Sequence, residues 1–258
     1  MLRTFGAFGV ALALAFSAGN AAAQQKIRIA TEGAYEPFNY TDASGQLVGF
    51  EVDLARALCE KMKARCEIVA QDWDGIIPGL LAKRYDAIMA SMSITPERKQ
   101  RVAFSNKYYQ TPARFVARKG ANLQISPAGL KGKTVGVQRA TIHANYAEDV
   151  YGKVATIRQY DTQENANLDL ATGRLDAVLA DSILMLKGFL EKPDGKAFEF
   201  VGPELTDPKY FGEGVGVAMR KEDKALAEAF NKAIREVRAD GTYKRINDKY
   251  FPFDVYGE

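Results

Sequence analysis

Short unbroken apolar runs alternate along this chain with longer stretches in which apolar positions return every three or four residues. The short runs read as buried strands and the longer ones as helices with one apolar face. Lys26–Thr31, Cys66–Gln71 and Asp86–Ser91 are strands on this pattern, with helices over Glu51–Lys63 and Trp73–Lys83 between them and another opening at Thr95–Val102. A second series follows Tyr109–Pro112. Its strands are Arg114–Arg118, Lys133–Gln138, Ala155–Tyr160 and Asp176–Ala180, and its helices are Thr141–Tyr151 and Gln163–Thr172. Phe198–Val201 and Gly214–Met219 are further strands, and Ala225–Arg238 is an amphipathic helix stopped by Asp240-Gly241. Strand–helix alternation of this kind predicts parallel sheets covered by helices.

One segment occurs twice. Leu80-Leu81-Ala82-Lys83-Arg84-Tyr85-Asp86-Ala87-Ile88-Met89-Ala90-Ser91 returns ninety positions later as Leu170-Ala171-Thr172-Gly173-Arg174-Leu175-Asp176-Ala177-Val178-Leu179-Ala180-Asp181. Each copy reads as a helix end, a tight turn at Arg-x-Asp and a buried strand, which predicts two similar lobes. The copies differ at their last residue, Ser91 in one and Asp181 in the other. In open α/β sheets ligands bind at the carboxyl ends of strands, so both residues are expected to face a shared cleft.

The start of the chain sets the compartment. Met1-Leu2-Arg3, the uncharged apolar stretch Phe8–Phe16 and the small residues Ala21-Ala22-Ala23 have the form of a cleavable signal peptide, residues 1–23. The apolar stretch is too short to span a bilayer, and no later segment is apolar enough to do so. A secreted protein is expected, most simply periplasmic. Cys59 and Cys66 would form a disulfide there, while two cysteines and one histidine are too few for a structural zinc site. The 258 residues carry a net charge of only +3 and no dense basic stretch, which argues against a nucleic-acid partner.

The most pointed chemistry lies in Ser91-Met92-Ser93-Ile94-Thr95-Pro96-Glu97-Arg98. Thr95 suits a helix N-cap and Pro96 the first helical position. Arg98 then falls in the first turn, where the dipole disfavours a cation unless an anion binds beside it. Its fork matches a carboxylate, with Ser91 and Ser93 as added donors. Asp181, ending an apolar run, would be satisfied by an ammonium. Glu32 supplies a second acid just past a strand, and Tyr35 and Trp73 can line a flat slot. A carboxylate station and an ammonium station together describe a receptor for α-amino acids. The single histidine, His143, in the first turn of a helix, reads first as a solvated face residue, with a contact at the rim of the cleft as the alternative.

These residues carry a resemblance. Ala30-Thr31-Glu32-Gly33-Ala34-Tyr35-Glu36-Pro37-Phe38, Gly49-Phe50-Glu51-Val52-Asp53-Leu54, the Cys59/Cys66 pair, Trp73-Asp74-Gly75-Ile76-Ile77-Pro78, the Asp86–Arg98 run, Gly136-Val137-Gln138 and Gly241-Thr242-Tyr243 stand in order over residues 26–258. The chain resembles the periplasmic lysine/arginine/ornithine/histidine-binding proteins that serve ABC importers. The resemblance implies an α/β, two-lobe periplasmic binding protein of type II, each lobe a mostly parallel sheet covered by helices, with two hinge strands. Lobe 1 would comprise 24–110 and 212–258, and lobe 2 would comprise 111–211. It also implies a monomer without cofactor or metal, working with an inner-membrane permease complex.

Carried over by position, Arg98 with Ser91 and Ser93 would hold the ligand carboxylate, completed by Thr141 and Ile142 through backbone amides. Asp181 would hold the α-ammonium, Tyr35 and Trp73 would enclose the side chain, and Glu32 would meet its distal cation. Arginine is the expected ligand, with lysine, ornithine and histidine as alternatives. Some positions depart from the pattern: Glu32 where Asp is common, Trp73 for a common Phe, Arg139-Ala140 where Gln-Gly is frequent, and Ala90 where Ser is frequent. Segments Ala30–Tyr35 and Cys59–Met92 also resemble octopine- and nopaline-binding proteins, so an opine or a polar amino acid is the second reading. A periplasmic cyclohexadienyl dehydratase-like enzyme is a third; it needs a general acid at the leaving group, and the available acids, Glu32 and Asp181, are better explained as cation partners.

Overall fold

A computed structural model describes residues 25–257, so the expected signal peptide 1–23 lies outside the described residues. The first series is β1 (Lys26–Thr31), β2 (Ala34–Tyr35), β3 (Asn39–Thr41), β4 (Leu47–Val48), α1 (Phe50–Lys61), β5 (Arg65–Ala70), α2 (Trp73–Leu81), β6 (Ala87–Ile88), α3 (Pro96–Lys99) and β7 (Ala103–Tyr109). The second is β8 (Ala113–Arg118), β9 (Thr134–Gln138), α4 (Ile142–Tyr151), β10 (Thr156–Tyr160), α5 (Gln163–Ala171), β11 (Ala177–Asp181), α6 (Ser182–Met185), β12 (Phe198–Leu205) and α7 (Pro208–Phe211). β13 (Val215–Met219), α8 (Lys224–Ala239) and α9 (Thr242–Tyr250) follow.

Two five-stranded sheets result, ordered β5-β1-β6-β13-β7 and β10-β9-β11-β8-β12. Pairing is parallel across the first three strands of each sheet and antiparallel on both sides of β13 and of β8. Each sheet is therefore mostly parallel with one reversed strand. In both cases the reversed strand is the first one the chain makes after crossing from the other sheet. A separate ribbon of β2, β3 and β4 extends the first lobe, in a stretch where no apolar alternation is visible in the sequence.

The repeated segment does the same work in both sheets. Asp86 accepts a hydrogen bond from the amide of Arg28 at 2.9 Å and donates its own amide to the Arg28 carbonyl at 2.9 Å. Asp176 makes the matching pair with Thr134, at 2.8 and 2.9 Å. Each aspartate thereby registers the central strand of its sheet against the neighbouring parallel strand, β6 on β1 and β11 on β9. The turn before it needs a left-handed residue, supplied by Gly173 (φ 78°) in one copy and by Lys83 (φ 60°) in the other. The first copy ends sooner than its apolar run suggests: ladder pairing stops at Ile88, and Ser91 adopts a left-handed backbone (φ 53°) that turns the chain away.

α1, α8 and α9 cover the first sheet. Phe50, Leu54 and Leu58 of α1 and Phe230 and Val237 of α8 are fully enclosed, worth roughly 1.5–3 kcal/mol each relative to exposure. The Tyr243 hydroxyl of α9 donates to the Tyr108 carbonyl at 2.6 Å, tying the C-terminal helices to β7. Cys59 and Cys66 form a disulfide that joins α1 to β5. The second lobe has its own core around Phe115, Val135, Val137, Ala147 and Leu179. Among the described residues no helix is long and apolar enough to cross a membrane.

Candidate functional site

The cleft between the lobes is built from strand ends and helix starts, where backbone amides and short polar side chains converge. One part is lined by Glu32, Tyr35, Trp73, Ser91, Ser93, Arg98, Gln138, Thr141, Ile142 and His143. A cavity of about 150 Å³ continues from it past Asp181 toward the two crossings, along Thr111, Glu204 and Thr206. All nine ligand-binding residues expected from the sequence lie on these walls.

Arg98 sits where the sequence places it, in a one-turn helix shorter than Thr95–Val102. The Thr95 hydroxyl caps that helix by accepting the Arg98 amide at 3.2 Å. The guanidinium lies over the Trp73 ring, 5.2 Å from its centroid, and donates to the Ser93 carbonyl at 3.1 Å. Among the described residues no carboxylate forms an ion pair with it; Glu97, its sequence neighbour, instead accepts from Asn145 at 3.3 Å. Burial pushes Arg98 down to about 10, which still leaves it charged at neutral pH. A charged guanidinium facing a cleft without an anion is an anion station.

Ser91 faces inward but is already engaged. Its amide and hydroxyl both donate to Glu51, at 2.7 and 3.1 Å. Its hydroxyl is thus directed at a protein carboxylate, contrary to its expected role as a free donor beside Arg98. Ser93 is buried next to it. Thr141 caps α4, accepting the Ala144 amide at 3.1 Å, and its hydroxyl donates to the Gln138 carbonyl at 2.7 Å. Its side chain is therefore also occupied, and the amides of Thr141 and Ile142 at the α4 start are what the cleft can use.

Asp181 ends β11 and caps α6. One of its oxygens accepts the amides of Ile183 and Leu184 at 2.8 and 3.0 Å, and the other accepts the Thr111 hydroxyl. Burial raises it to about 6, opposed by those hydrogen bonds. Glu32 is 9% exposed and accepts from Gln138 Nε2 at 2.6 Å. Burial pushes it up to about 7, and Asp72 and Glu51 push the same way. Neither acid has a cationic partner among the described residues, and both keep unsaturated acceptor capacity beside open space. Tyr35 and Trp73 are buried walls of the same part as Glu32.

His143 corrects the expectation of a solvated face residue. It is buried, lines the cleft and packs against Phe211 with 6.2 Å between ring centroids. Burial, helped by Arg98, holds it down to about 3, so it is neutral at neutral pH. Two further residues were not singled out from sequence. Glu51 is fully buried and accepts hydrogen bonds from Asn39, Ser91 and Tyr108; burial raises its pKa, and those hydrogen bonds oppose the rise. Gln138, 2% exposed at the end of β9, reaches Glu32 across the cleft. No group of three or more potential ligands that could hold a metal ion occurs among the described residues.

Comparison with known proteins follows the same lines. Residues 27–253 match the bacterial extracellular solute-binding proteins, family 3. The chain is 53% identical over 237 residues to an L-arginine-binding protein of Pseudomonas aeruginosa, covering 92% of each. It is 45% identical to the lysine/arginine/ornithine-binding periplasmic protein of Escherichia coli, again over 92% of each. Among solved structures, a periplasmic binding protein of Salmonella typhimurium with high arginine specificity superposes with a TM-score of 0.81 at 36% identity, covering 88% of this chain and 99% of that one.

Proposed function

The chain belongs to family 3 of the bacterial extracellular solute-binding proteins, and from that premise we propose that it captures a cationic L-amino acid, arginine by preference, and delivers it to an inner-membrane ABC importer. One observation carries the reading: among the described residues, Arg98 on the cleft wall has no carboxylate paired with it, and the two buried acids Asp181 and Glu32 have no cation paired with them. A cationic amino acid brings one carboxylate and two cations, and so complements all three. Each of those groups would otherwise remain a poorly solvated charge.

In this pose Arg98, Ser93 and the amides of Thr141 and Ile142 receive the carboxylate, and Asp181 receives the α-ammonium. The side chain runs between Tyr35 and Trp73 to Glu32. A planar guanidinium stacks on aromatic faces and accepts a carboxylate in a fork, whereas an ammonium is more strongly hydrated, which favours arginine over lysine. Ser91 contributes a wall, held by Glu51. The protein works in the periplasm as a monomer and catalyses no reaction.

The room beyond Asp181 favours a second reading, an opine, whose nitrogen substituent needs such space. Glu204 on that wall opposes the extra carboxylate an opine carries, so the free amino acid is preferred. Trp73 is the only tryptophan and lines the side-chain slot. A saturable change in its fluorescence on adding L-arginine, absent with L-glutamate, is the expected result; no change with any cationic amino acid would refute the reading.

A further inference from the structure

Three consecutive residues of the second lobe each bond a first-lobe residue at the side-chain end of the cleft. Gln138 Nε2 donates to Glu32 at 2.6 Å, Arg139 pairs with Asp74 at 3.1 Å, and the Ala140 carbonyl accepts the Trp73 indole N–H at 3.0 Å. The tripeptide is anchored in its own lobe by Asp161, whose carbonyl accepts from Gln138 at 3.2 Å and whose carboxylate pairs with Arg139 at 2.7 Å. Ala140 turns back toward Trp73 by a left-handed backbone, φ 57°. Two of the first-lobe partners, Glu32 and Trp73, are themselves walls of the side-chain slot.

We propose that Gln138 is a positioning residue that acts across the cleft, fixing the Glu32 carboxylate and keeping it in the charged form that selects a distal cation. The inference rests on the cationic amino-acid reading given above. Gln138 has the geometry for this role: it is almost wholly buried, its amide nitrogen is held between Glu32 and the Asp161 carbonyl, and it donates to one Glu32 oxygen. The other oxygen is left for the ligand. An amide N–H donated to a carboxylate stabilises the ionised form, while burial opposes it. The ionisable groups around Glu32 are Asp72 and Glu51, which oppose its charge, with Tyr35, Arg98 and His143 on the shared walls and Arg139 and Asp161 across the cleft. Among them Gln138 supplies the direct side-chain hydrogen bond. Because it belongs to the second lobe, the acid is set for a cation only when the lobes meet, so closure and side-chain selection become one event.

The test compares Gln138→Leu and Gln138→Met, which remove the donor and keep the bulk, with the wild-type chain. Calorimetric titrations of L-arginine and L-citrulline are run at pH 7 and pH 8.5. Citrulline keeps the shape of arginine and lacks its charge. At pH 7 arginine should weaken about tenfold and citrulline less than threefold. The arginine deficit relative to wild type should shrink at pH 8.5, where Glu32 ionises without help. Equal losses for the two ligands, or an arginine deficit independent of pH, would reduce Gln138 to packing and overturn the proposal. If one variant fails to fold, the other carries the comparison, with folding checked by a cooperative melt. A wild-type chain that binds neither ligand would overturn the underlying reading and this inference with it.

Discussion

Glu51 holds Ser91 with both carboxylate oxygens, one on its amide at 2.7 Å and one on its hydroxyl at 3.1 Å. The link joins the first turn of α1 to the left-handed residue that starts the Ser91–Arg98 loop. Asn39 and Tyr108 donate to the same carboxylate, so its truncation leaves several buried donors without an acceptor. Glu51→Ala should destabilise the ligand-free protein by about 2–4 kcal/mol, measured by urea unfolding. Glu51→Gln, which keeps the shape and some acceptors, should cost less. A loss under about 0.5 kcal/mol, the range of ordinary surface substitutions, would mean the network holds nothing.

Arg98 should carry the carboxylate. Its replacement by Ala leaves a buried ligand anion unpaired, a change that costs about 2–5 kcal/mol, so arginine affinity should fall at least tenfold while the melt stays cooperative. Unaltered binding of free arginine by Arg98→Ala would reject the assigned pose.

Glu32 links binding and stability to pH. Burial places its carboxyl near 7 in the folded protein, above its ordinary value of 4.5. Between those values the folded state holds more protons than the unfolded one, so this group lowers stability as pH rises from about 4.5 to about 7. Glu32→Gln removes that loss. Its ligand-free melting temperature should exceed wild type by about 2–6 °C at pH 8, with the difference vanishing near pH 4. Arginine binding should run the other way: wild-type affinity should drop as the pH falls below 7, because the proton and the ligand cation compete for the same oxygens. A Glu32→Gln difference that does not change between pH 4 and pH 8 would contradict a buried, cation-seeking acid.

The Arg139–Asp74 pair crosses the cleft on its exposed rim. Exposed pairs contribute about 0.2–1 kcal/mol, so Asp74→Asn should weaken arginine and citrulline alike by about twofold to fivefold at low salt. The deficit should fade near 0.5 M salt, where screening is short-ranged. A deficit that persists in high salt would point to a change in the slot rather than in the ion pair.

Much of this site was legible because its chemistry violates local expectations. Arg98 in a helix first turn, where the dipole disfavours a cation, and Asp181 at the end of a buried run each ask for a partner of opposite charge. The duplicated Arg-x-Asp turn likewise disclosed two similar sheets, since its aspartate makes the same backbone pair in each. Gln138 obeys the same rule as Asp181, a polar residue closing the buried run Val135–Val137, and could have been found by it. Glu51 was harder to find. An acid in a helix first turn normally complements the dipole, and only its place on the stripe with Leu54, Ala55 and Leu58 marks it as facing inward. The first reading of His143 as a solvated residue fails, and its alternative as a cleft contact is nearer, because one residue in a first turn does not reveal which way the helix faces. That is set by Phe211, far along the chain. The ribbon of β2, β3 and β4 was missed because strands of two or three residues carry no periodicity.

The central claim is that the side-chain slot selects a distal cation through Glu32. Calorimetric titration of the wild-type chain at pH 7.5 with L-arginine, L-lysine, L-citrulline and L-glutamate tests it most directly. Arginine should bind tightest, lysine next, citrulline at least tenfold weaker than arginine, and glutamate not measurably. Glutamate binding as tightly as arginine, or citrulline matching it, would contradict the claim.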